Sequence, residues 1–274
     1  MPSQARAADC EFQPAELSAN PPGNPSGDLL TVTLKHRAGS LCIDLSFVLT
    51  QPWTILFGPS GSGKTTVLRT IAGFVQPDAG VIAYGPAQRS LLNTSQRLFI
   101  PPHRRPVRTA GQTARLFPQL TVEENVLYGM GQPLRQSEAE RNVLADVMAL
   151  MQLNTLASRR PDALSGGERQ RVSVARAVAS AVTFNGPDRP LLLLDEPFAG
   201  LDTALRDDLA LALRASLARW NLPVLSVSHD IAECHLLDAE VIRIADGKLT
   251  GQGPAAALLA QERERLISRL GHRS

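Results

Sequence analysis

The sequence predicts an α/β fold in which a parallel α/β core carries an antiparallel β edge and an inserted α-helical subdomain. Three strand-like runs follow one another in the C-terminal half, at Leu191–Asp195, Val224–Ser228 and Val241–Ala245. Helix-compatible stretches at about 203–220 and 230–237 separate them. Buried strands that alternate with helices are typical of a parallel sheet.

The antiparallel edge is predicted from the beginning of the ordered sequence. A short β-like run at Leu29–Leu34 is followed by Leu41–Leu49, where apolar residues occupy every second position. This alternation is typical of strands with one buried face. A compact apolar strand at Trp53–Phe57 and a helix-like stretch from Lys64 to Val75 then open the predicted core.

The middle of the chain predicts a helical insertion, because helix-compatible segments follow one another there without a convincing strand between them. We place this inserted subdomain at about 113–181. Its predicted helices cover 121–130, 137–151 and 167–181.

The chain divides into a main domain and two flanking segments. Residues 1–27 are rich in Pro, Ala, Ser, Asn and Gly and predict a disordered N-terminal extension. The main domain covers 28–252. Residues 253–274 predict a helical tail on the surface.

Composition excludes several classes of function. The 274 residues include 28 Lys plus Arg against 26 Asp plus Glu, so a formal net charge of +2 gives no global reason to expect nucleic acid as a partner. The aliphatic run at Leu191–Leu194 is far shorter than the roughly 20 apolar residues that span a bilayer. Because no signal peptide is recognisable, we expect a cytoplasmic protein whose association with a membrane is peripheral.

A glycine-rich loop between the Trp53–Phe57 strand and the following helix predicts a phosphate site. It matches the pattern G-x-x-x-x-G-K-[ST] in the required strand-to-helix context. Backbone N–H groups and the helix dipole would face phosphate oxygens, Lys64 would add a full positive charge, and the Thr65 hydroxyl would bind Mg²⁺. The alternative is a Gly-Ser turn with an accidental lysine. The predicted nucleotide-binding residues are Gly58, Pro59, Ser60, Gly61, Ser62, Gly63, Lys64, Thr65 and Thr66.

Two adjacent carboxylates end the buried run Leu191–Leu194. Successive strand residues point to opposite faces, so we expect Asp195 to face Mg²⁺ and Glu196 to face the water that attacks the γ-phosphate as general base. The alternative is a solvated strand end. Together with the phosphate loop, the pair indicates an ATP site.

The segment Leu164-Ser165-Gly166-Gly167-Glu168-Arg169-Gln170-Arg171 resembles the signature sequence of ATP-binding-cassette (ABC) ATPases. Here Ser165 and two glycines open a helix, so that free N–H groups and the helix dipole face an anion. The resemblance implies an ABC-type phosphate-loop NTPase over 28–252. It also implies a head-to-tail homodimer around two ATP molecules, in which Ser165, Gly166, Gly167 and Glu168 contact the partner's ATP.

Three further elements follow the ABC family pattern in order. Gln112 resembles the Q-loop glutamine that touches Mg²⁺, Asp202 resembles the D-loop aspartate at the dimer interface, and His229 resembles the switch histidine on the γ-phosphate. The resemblance therefore implies that Lys64, Glu196 and His229 are catalytic. It implies ATP and Mg²⁺ as cofactors, the metal being held by Thr65, Gln112 and Asp195.

Within the family, the stretch Ala114–Val122 is most similar to importer ATPases for oxyanions, particularly molybdate. Importers for sulfate, ferric iron and polyamines share much of this segment and stay as alternatives. The resemblance implies integral membrane permease subunits as partners and, through them, an external solute-binding protein. It places the chain on the cytoplasmic face of the membrane.

The sequence departs from the family pattern in three places. Leu34–Arg37 contains no aromatic residue to stack on adenine, which leaves His36 or Arg37 for this role. Pro106–Gly111, before Gln112, lacks the apolar pattern of the family's strand at this point. The sequence given also leaves no room for the C-terminal β-rich regulatory domain that molybdate and sulfate ATPases often carry.

Two other functional classes compete with transport. An ABC-type ATPase of DNA repair or translation would act on nucleic acid, and an arginine cluster is the feature that favours it. Gln112 and Ser165 are only 53 positions apart, which is too few for a coiled-coil arm, so we expect no nucleic-acid partner. The presence of Glu196 and His229 argues against a non-hydrolysing regulator. The arginines are Arg97, Arg104, Arg105, Arg108 and Arg115.

Overall fold

The structure is a computed structural model that describes residues 28–131 and 137–271, so the predicted extension at 1–27 lies outside it. Within these residues, eleven strands form one mixed sheet in the order β6-β5-β4-β1-β2-β11-β10-β3-β9-β8-β7. The strands are β1 Leu30–Ala38, β2 Leu41–Leu49, β3 Trp53–Phe57, β4 Ala79–Tyr84, β5 Arg89–Asn93, β6 Leu98–Phe99, β7 Val107–Ala110, β8 Leu191–Asp195, β9 Val224–Ser228, β10 Glu240–Ala245 and β11 Lys248–Pro254.

Eight α-helices accompany the sheet in the described part of the chain. None of them combines the length and the apolarity needed to cross a bilayer. The helices are α1 Lys64–Ala72, α2 Val122–Gly129, α3 Glu138–Leu150, α4 Gly166–Val182, α5 Thr203–Arg219, α6 Ile231–Leu236, α7 Ala255–Leu258 and α8 Ala260–Gly271.

The sheet has the two parts that the sequence predicts, which confirms the fold class. Strands β10, β3, β9, β8 and β7 run parallel to one another. On the other side, β1 pairs antiparallel with β2, in a register that joins Leu30 to Leu49 and Ala38 to Leu41. The helix expected to reach Val75 ends at Ala72, because Gly73 adopts the left-handed conformation that terminates helices.

Both faces of the parallel core are covered, as its apolar strands require. In β8 the side chains of Leu191 and Leu193 pack into the apolar cluster around α1, whereas Leu192 and Leu194 pack into the larger cluster around α4 and α5. Alternate residues of one strand therefore stabilise two separate layers, and a polar substitution on either face would be buried.

Five strands were not predicted from the sequence. Strands β4, β5 and β6 extend the antiparallel part beyond β1. Strand β11 forms a hairpin with β10 although its sequence contains Gly251, Gly253 and Pro254. Strand β7 lies at the sheet edge beside β8, where Val107 and Ala110 are buried and Thr109 is exposed. An edge strand buries less side chain than a central one, which explains the weak apolar signal before Gln112.

Helices α2, α3 and α4 lie between β7 and β8, in the region predicted as an insertion. The helical tail predicted at 253–274 differs from the structure over its described residues, because the segment forms α7 and α8 and residues 253 and 254 belong to β11. Ala255 and Leu259 are buried in the larger apolar cluster. The beginning of the tail is therefore part of the core.

A buried arginine anchors the C-terminal end of α1. Arg105 is 1% exposed, and its guanidinium donates to the carbonyl oxygens of Thr70 at 2.9 Å, Ile71 at 2.7 Å and Ile100 at 2.7 Å. Two of these carbonyls belong to the last turn of α1, where a positive charge also complements the helix dipole. Arg105 therefore holds the helix that follows the phosphate loop.

The substitution Arg105→Met should lower the free energy of unfolding by roughly 3 kcal/mol, because three buried carbonyl groups lose charge-assisted donors. Urea denaturation followed by circular dichroism measures the change. The neighbouring Arg104 is exposed, so Arg104→Met is the matched control, with a change within about 0.5 kcal/mol. Equal effects of the two substitutions would contradict the anchoring role.

Candidate nucleotide-binding site

The predicted site residues converge at one edge of the sheet. Gly58 follows β3, Gln112 lies two residues after β7, Glu196 follows β8 and His229 follows β9. The registers pair Ala110 with Leu194, Asp195 with Val227 and Phe57 with Ser228, so the four strands end at similar levels. The carboxyl edge of a parallel sheet is where open α/β proteins bind ligands.

The phosphate loop wraps around the ammonium group of Lys64. Lys64 Nζ donates to Gly58 O at 2.8 Å and to Pro59 O at 2.7 Å. A Cβ atom at Gly58 would lie 2.0 Å from the carbonyl oxygen of Ile244, so only glycine fits where the loop leaves β3. Burial lowers the pKa of Lys64, and the nearby Glu196 and Asp195 carboxylates oppose this shift.

Asp195 lies next to the phosphate loop in the interior of the site. Its side chain is buried, and the Oδ1 atom has no hydrogen-bond partner in the described part of the chain. Burial raises the pKa of Asp195, while a hydrogen bond with the Thr65 side chain and the charge of Lys64 act in the opposite direction. A carboxylate oxygen and a hydroxyl oxygen thus meet at one point, which is the donor chemistry of a hard divalent cation.

Glu196 adopts a left-handed backbone conformation with φ of 50° directly after β8. Its Oε2 accepts from Gln112 Nε2 at 3.2 Å, and its Oε1 lies 3.2 Å from His229 Nδ1. Both carboxylates act on Lys64, and strand alternation does not set the direction of the Glu196 side chain, because the chain has already left the strand at Glu196. A non-glycine residue with positive φ is strained, and such residues cluster at functional sites.

Gln170 ties the signature helix to this site, and sequence reasoning assigned it no role. Gln170 is buried, and its Nε2 donates to Gly111 O at 3.2 Å and to Glu196 O at 3.4 Å. One amide group therefore links α4 to the backbone beside Gln112 and to the backbone of Glu196. The sequence contained one signal for this role of Gln170, namely a polar residue on the buried face of a helix.

The start of α4 is exposed and capped. Ser165 Oγ accepts from Glu168 N at 3.2 Å, and a Glu168 carboxylate oxygen accepts from Ser165 N at 2.6 Å. These bonds lower the pKa of Glu168 and form a capping box. Ser165 and Gly166 are exposed, so a second molecule can reach this helix start.

The D-loop residues pack against the signature glycines. A Cβ atom at Gly167 would lie 2.8 Å from Leu201 Cδ2 and 3.0 Å from Gly200 O. Asp202 caps α5, because its Oδ1 accepts from Leu205 N at 3.0 Å. The two segments that the family pattern assigns to the dimer interface therefore lie side by side on one exposed surface.

A cavity of about 470 Å³ joins the phosphate loop to the first hairpin. Its hairpin wall consists of Ala38, Ser40 and Leu41 rather than of His36 or Arg37. His36 Nδ1 lies 3.3 Å from Asp78 Oδ2, which also accepts from Arg37 N. The cavity is lined by Ala38, Ser40, Leu41, Ser60, Gly61, Gly63, Lys64, Thr65, Thr66, Gln112, Glu196 and Val227.

A larger cavity of about 550 Å³ surrounds Trp53 at the opposite end of β3. Volume alone would favour it as the ligand site. The phosphate loop, the lysine and the paired carboxylates all lie at the other edge of the sheet, so we assign the nucleotide to the cavity beside Lys64.

The segment around His229 contains a buried acidic residue that sequence reasoning missed. Ser228 Oγ donates to Glu233 Oε2 at 2.8 Å, and burial raises the pKa of Glu233 to about 7. Arg206, in the first turn of α5, forms an ion pair with Asp230. His229 itself is exposed, with a side-chain exposure of 64%.

The fold and the site define a phosphate-loop protein with a second anion-facing helix start at its surface. A family model described as ABC transporter matches residues 44–199, more than half of the chain, so the chain belongs to the ABC transporter family.

Two relatives represent the similarity to characterised importers. The chain is 37% identical over 229 residues to the molybdenum import ATP-binding protein ModC of Mesorhizobium japonicum, covering 83% of this chain and 59% of that protein. It is 39% identical over 206 residues to the thiamine import ATP-binding protein ThiQ of Brucella suis, covering 75% of this chain and 79% of that protein.

Solved structures agree with this fold. The ATP-binding cassette MJ0796, bound to ADP and Pi, superposes with a TM-score of 0.65 at 24% identity, covering 83% of this chain and 99% of that chain. A structure titled as the ATP-binding subunit of an ABC transporter superposes with a TM-score of 0.66 at 25% identity, covering 85% of this chain and 92% of that chain.

The buried Glu233 should make stability depend on pH. With a pKa of about 7 against an ordinary 4.5, the folded protein keeps a proton that the unfolded chain has lost. The stabilisation from Glu233 is therefore fully present below the unfolded pKa and is lost as the pH rises through the folded value. The difference in free energy of unfolding between Glu233→Gln and the wild type should therefore shift in favour of the variant as the pH is raised from about 5 to about 8. The shift should be at most roughly 3 kcal/mol. Urea unfolding at both pH values tests this; a constant difference would contradict it.

Proposed function

We propose that this protein is the ATP-hydrolysing subunit of an ABC importer. The observation that carries the proposal is that Lys64 and Glu196 line one cavity at the carboxyl edge of the sheet, with the Asp195 carboxylate close enough to act on Lys64. These residues provide a cation for phosphate, a carboxylate for a metal and a carboxylate for water. The names of the ModC and ThiQ relatives support import as the process that hydrolysis drives.

Glu196 acts as the general base in this proposal. Its carboxylate accepts a proton from the attacking water, while Gln112 and His229 hold its two oxygens from either side. Lys64 stabilises the negative charge that spreads over the γ-phosphoryl group. His229 is exposed beside Glu196, so it can contact the same phosphoryl group.

Magnesium fits the oxygen donors at the end of β8. Thr65, Asp195 and Gln112 would hold it, and it would supply neutralising charge to the β- and γ-phosphates. Within residues 28–131 and 137–271, no group of three or more His, Cys, Asp or Glu side chains is arranged to hold a metal ion. The ion would therefore depend on Thr65 and on the nucleotide for part of its coordination.

A homodimer completes the site. The exposed Ser165 and Gly166, followed by the buried Gly167, would present backbone N–H groups to the ATP held by the partner molecule, and Asp202 would lie at the same interface. ATP binding closes this dimer and hydrolysis lets it reopen, which provides the work stroke. The protein would act on the cytoplasmic face of the membrane.

An exposed aromatic pair marks the surface proposed for the permease. The rings of Phe117 and Tyr128 lie 4.2 Å apart, and Tyr128 is 56% exposed. The buried Asn125 holds the preceding loop, because its Oδ1 accepts from Phe117 N at 2.8 Å. A rigid aromatic surface next to the Q-loop suits a short helix of a membrane partner.

The structure weakens the case for nucleic acid as the substrate. Of the five clustered arginines, Arg105 caps α1, and Arg108 donates to Ser180 Oγ at 2.8 Å and lies over the Phe184 ring. Both guanidinium groups are engaged within the protein and are poorly available to phosphates.

The transported solute is proposed to be molybdate or a related oxyanion. ModC relatives support molybdate, although this chain spans only 59% of the length of the Mesorhizobium protein. Thiamine is the second candidate, because the chain covers 79% of the thiamine import protein at 39% identity. The two solutes differ in charge, so their transporters can be distinguished directly.

The substitution Glu196→Gln should lower ATP turnover by at least about 100-fold, because a neutral amide cannot accept the proton of water. ATP binding should persist, so a dimer should accumulate with Mg-ATP. Phosphate release and size-exclusion chromatography measure the two effects. The exposed Glu123 provides the control Glu123→Gln, and unchanged turnover in Glu196→Gln would remove Glu196 as the base.

The solute is tested in proteoliposomes that contain this chain and the permease that co-purifies with it. ATPase activity should rise several-fold with a molybdate-loaded binding protein. A response to a thiamine-loaded binding protein alone would favour the second candidate. A response to sulfate, ferric iron or polyamine alone would contradict both.

A further inference from the structure

His229 is poorly restrained by its own contacts. Its side chain is 64% exposed, and among the residues that the structure describes, the imidazole has a hydrogen-bond contact only with Glu196 Oε1. The position of the ring must therefore come from the backbone of residues 228–230. The contacts that hold this backbone therefore determine the orientation of the His229 side chain.

The hydroxyl group of Ser228 closes the turn that carries His229. Ser228 Oγ accepts from Asp230 N at 3.1 Å and donates to Glu233 Oε2 at 2.8 Å. Both Ser228 and Glu233 are buried, so water does not replace these bonds easily. The single hydroxyl proton goes to Glu233, which leaves an oxygen lone pair for the N–H group of Asp230.

A second clamp holds the same turn from α5. The guanidinium group of Arg206 pairs with Asp230, and Arg206 N donates to Asp202 O at 2.9 Å in the first turn of the helix. The turn is thus fixed on one side by α6 and on the other by α5, the helix that Asp202 caps.

Glu233 has no evident structural reason to be acidic. Its Oε1 atom lacks a hydrogen-bond partner among the described residues, and burial is the largest cause of its raised pKa. Arg206 is the cation that acts on it, while Asp230 and Glu196 are negative neighbours. A buried carboxyl group lowers the stability of the fold, so its presence is better explained when the group has a functional role.

We propose that Glu233 is a positioning residue for His229, which it orients by holding the hydroxyl group of Ser228. This inference rests on the proposed ATP hydrolysis for its kinetic part. Glu233 itself does not touch the nucleotide. It sets the backbone turn from which the imidazole reaches Glu196 and the γ-phosphate.

A double-mutant cycle tests the kinetic part. Glu233→Ala should lower kcat by between ~10-fold and ~100-fold, with the KM for ATP within about two-fold, because only the position of His229 changes. In a His229→Ala background the same substitution should have no further effect on kcat. Glu233→Gln keeps an acceptor oxygen for Ser228 and should restore most of the rate. An equal loss in both backgrounds would overturn the proposal in favour of a general structural role.

A matched control lies at the other end of the sheet. Glu240 accepts a hydrogen bond from Thr54 Oγ1 at 3.3 Å, so Glu240→Ala removes a comparable carboxylate far from His229. The effect of Glu240→Ala on kcat should be the same in the wild-type and His229→Ala backgrounds. Ser228→Ala removes the hydrogen bond between Ser228 and Glu233 by deleting its donor. It replaces Glu233→Ala in the kinetic and NMR experiments if Glu233→Ala fails to fold.

A spectroscopic arm separates this inference from the proposed function. The imidazole signal of His229 in the NMR spectrum is assigned by its loss in His229→Ala. Glu233→Ala or Ser228→Ala should move that signal, whereas Glu240→Ala should not. An unmoved signal overturns the proposal. If wild-type turnover is absent or independent of Glu196, the proposed function fails, and the NMR arm still decides the role of Glu233.

Discussion

The common register of β3, β7, β8 and β9 is the constraint on which the site depends. Hydrogen bonds between parallel strands bring four strand ends to one edge, although the residues that follow them are up to 171 positions apart between Gly58 and His229. A slip of one residue would move Glu196 away from Gln112 and turn every buried side chain of β8 to the other face. The apolar layers on both faces prevent that slip.

Bringing charged side chains together at this edge is unfavourable in free energy, and neighbouring polar groups offset that effect. Lys64 is enclosed by loop carbonyls, and the nearby Glu196 and Asp195 carboxylates oppose the lowering of its pKa by burial. Gln170 connects α4 to the backbone of Gly111 and Glu196, so the signature helix is hydrogen-bonded to the carboxylate side of the candidate site. This contact links the candidate site to the surface at the start of α4.

The central strands and the helices could be predicted from apolar periodicity, because an element that is buried on one or two faces has a recognisable spacing of apolar residues in its sequence. Strand β11 could not, since its glycines carry no such pattern. Its pairing comes from the turn at Asp246 and Gly247, where both residues have positive φ, as two-residue hairpins require. The motif residues were found by spacing, whereas Glu233 and Gln170 act through contacts that only the fold reveals.

The left-handed backbone of Glu196 has an evolutionary consequence. Glycine or asparagine would adopt φ of 50° more easily, so either would relax the chain at this point. Selection for thermal robustness alone would then favour losing the carboxylate. Under the proposed function, retaining glutamate here sets stability against ATP turnover, and a lineage that no longer needs hydrolysis would tolerate glycine or asparagine at this position.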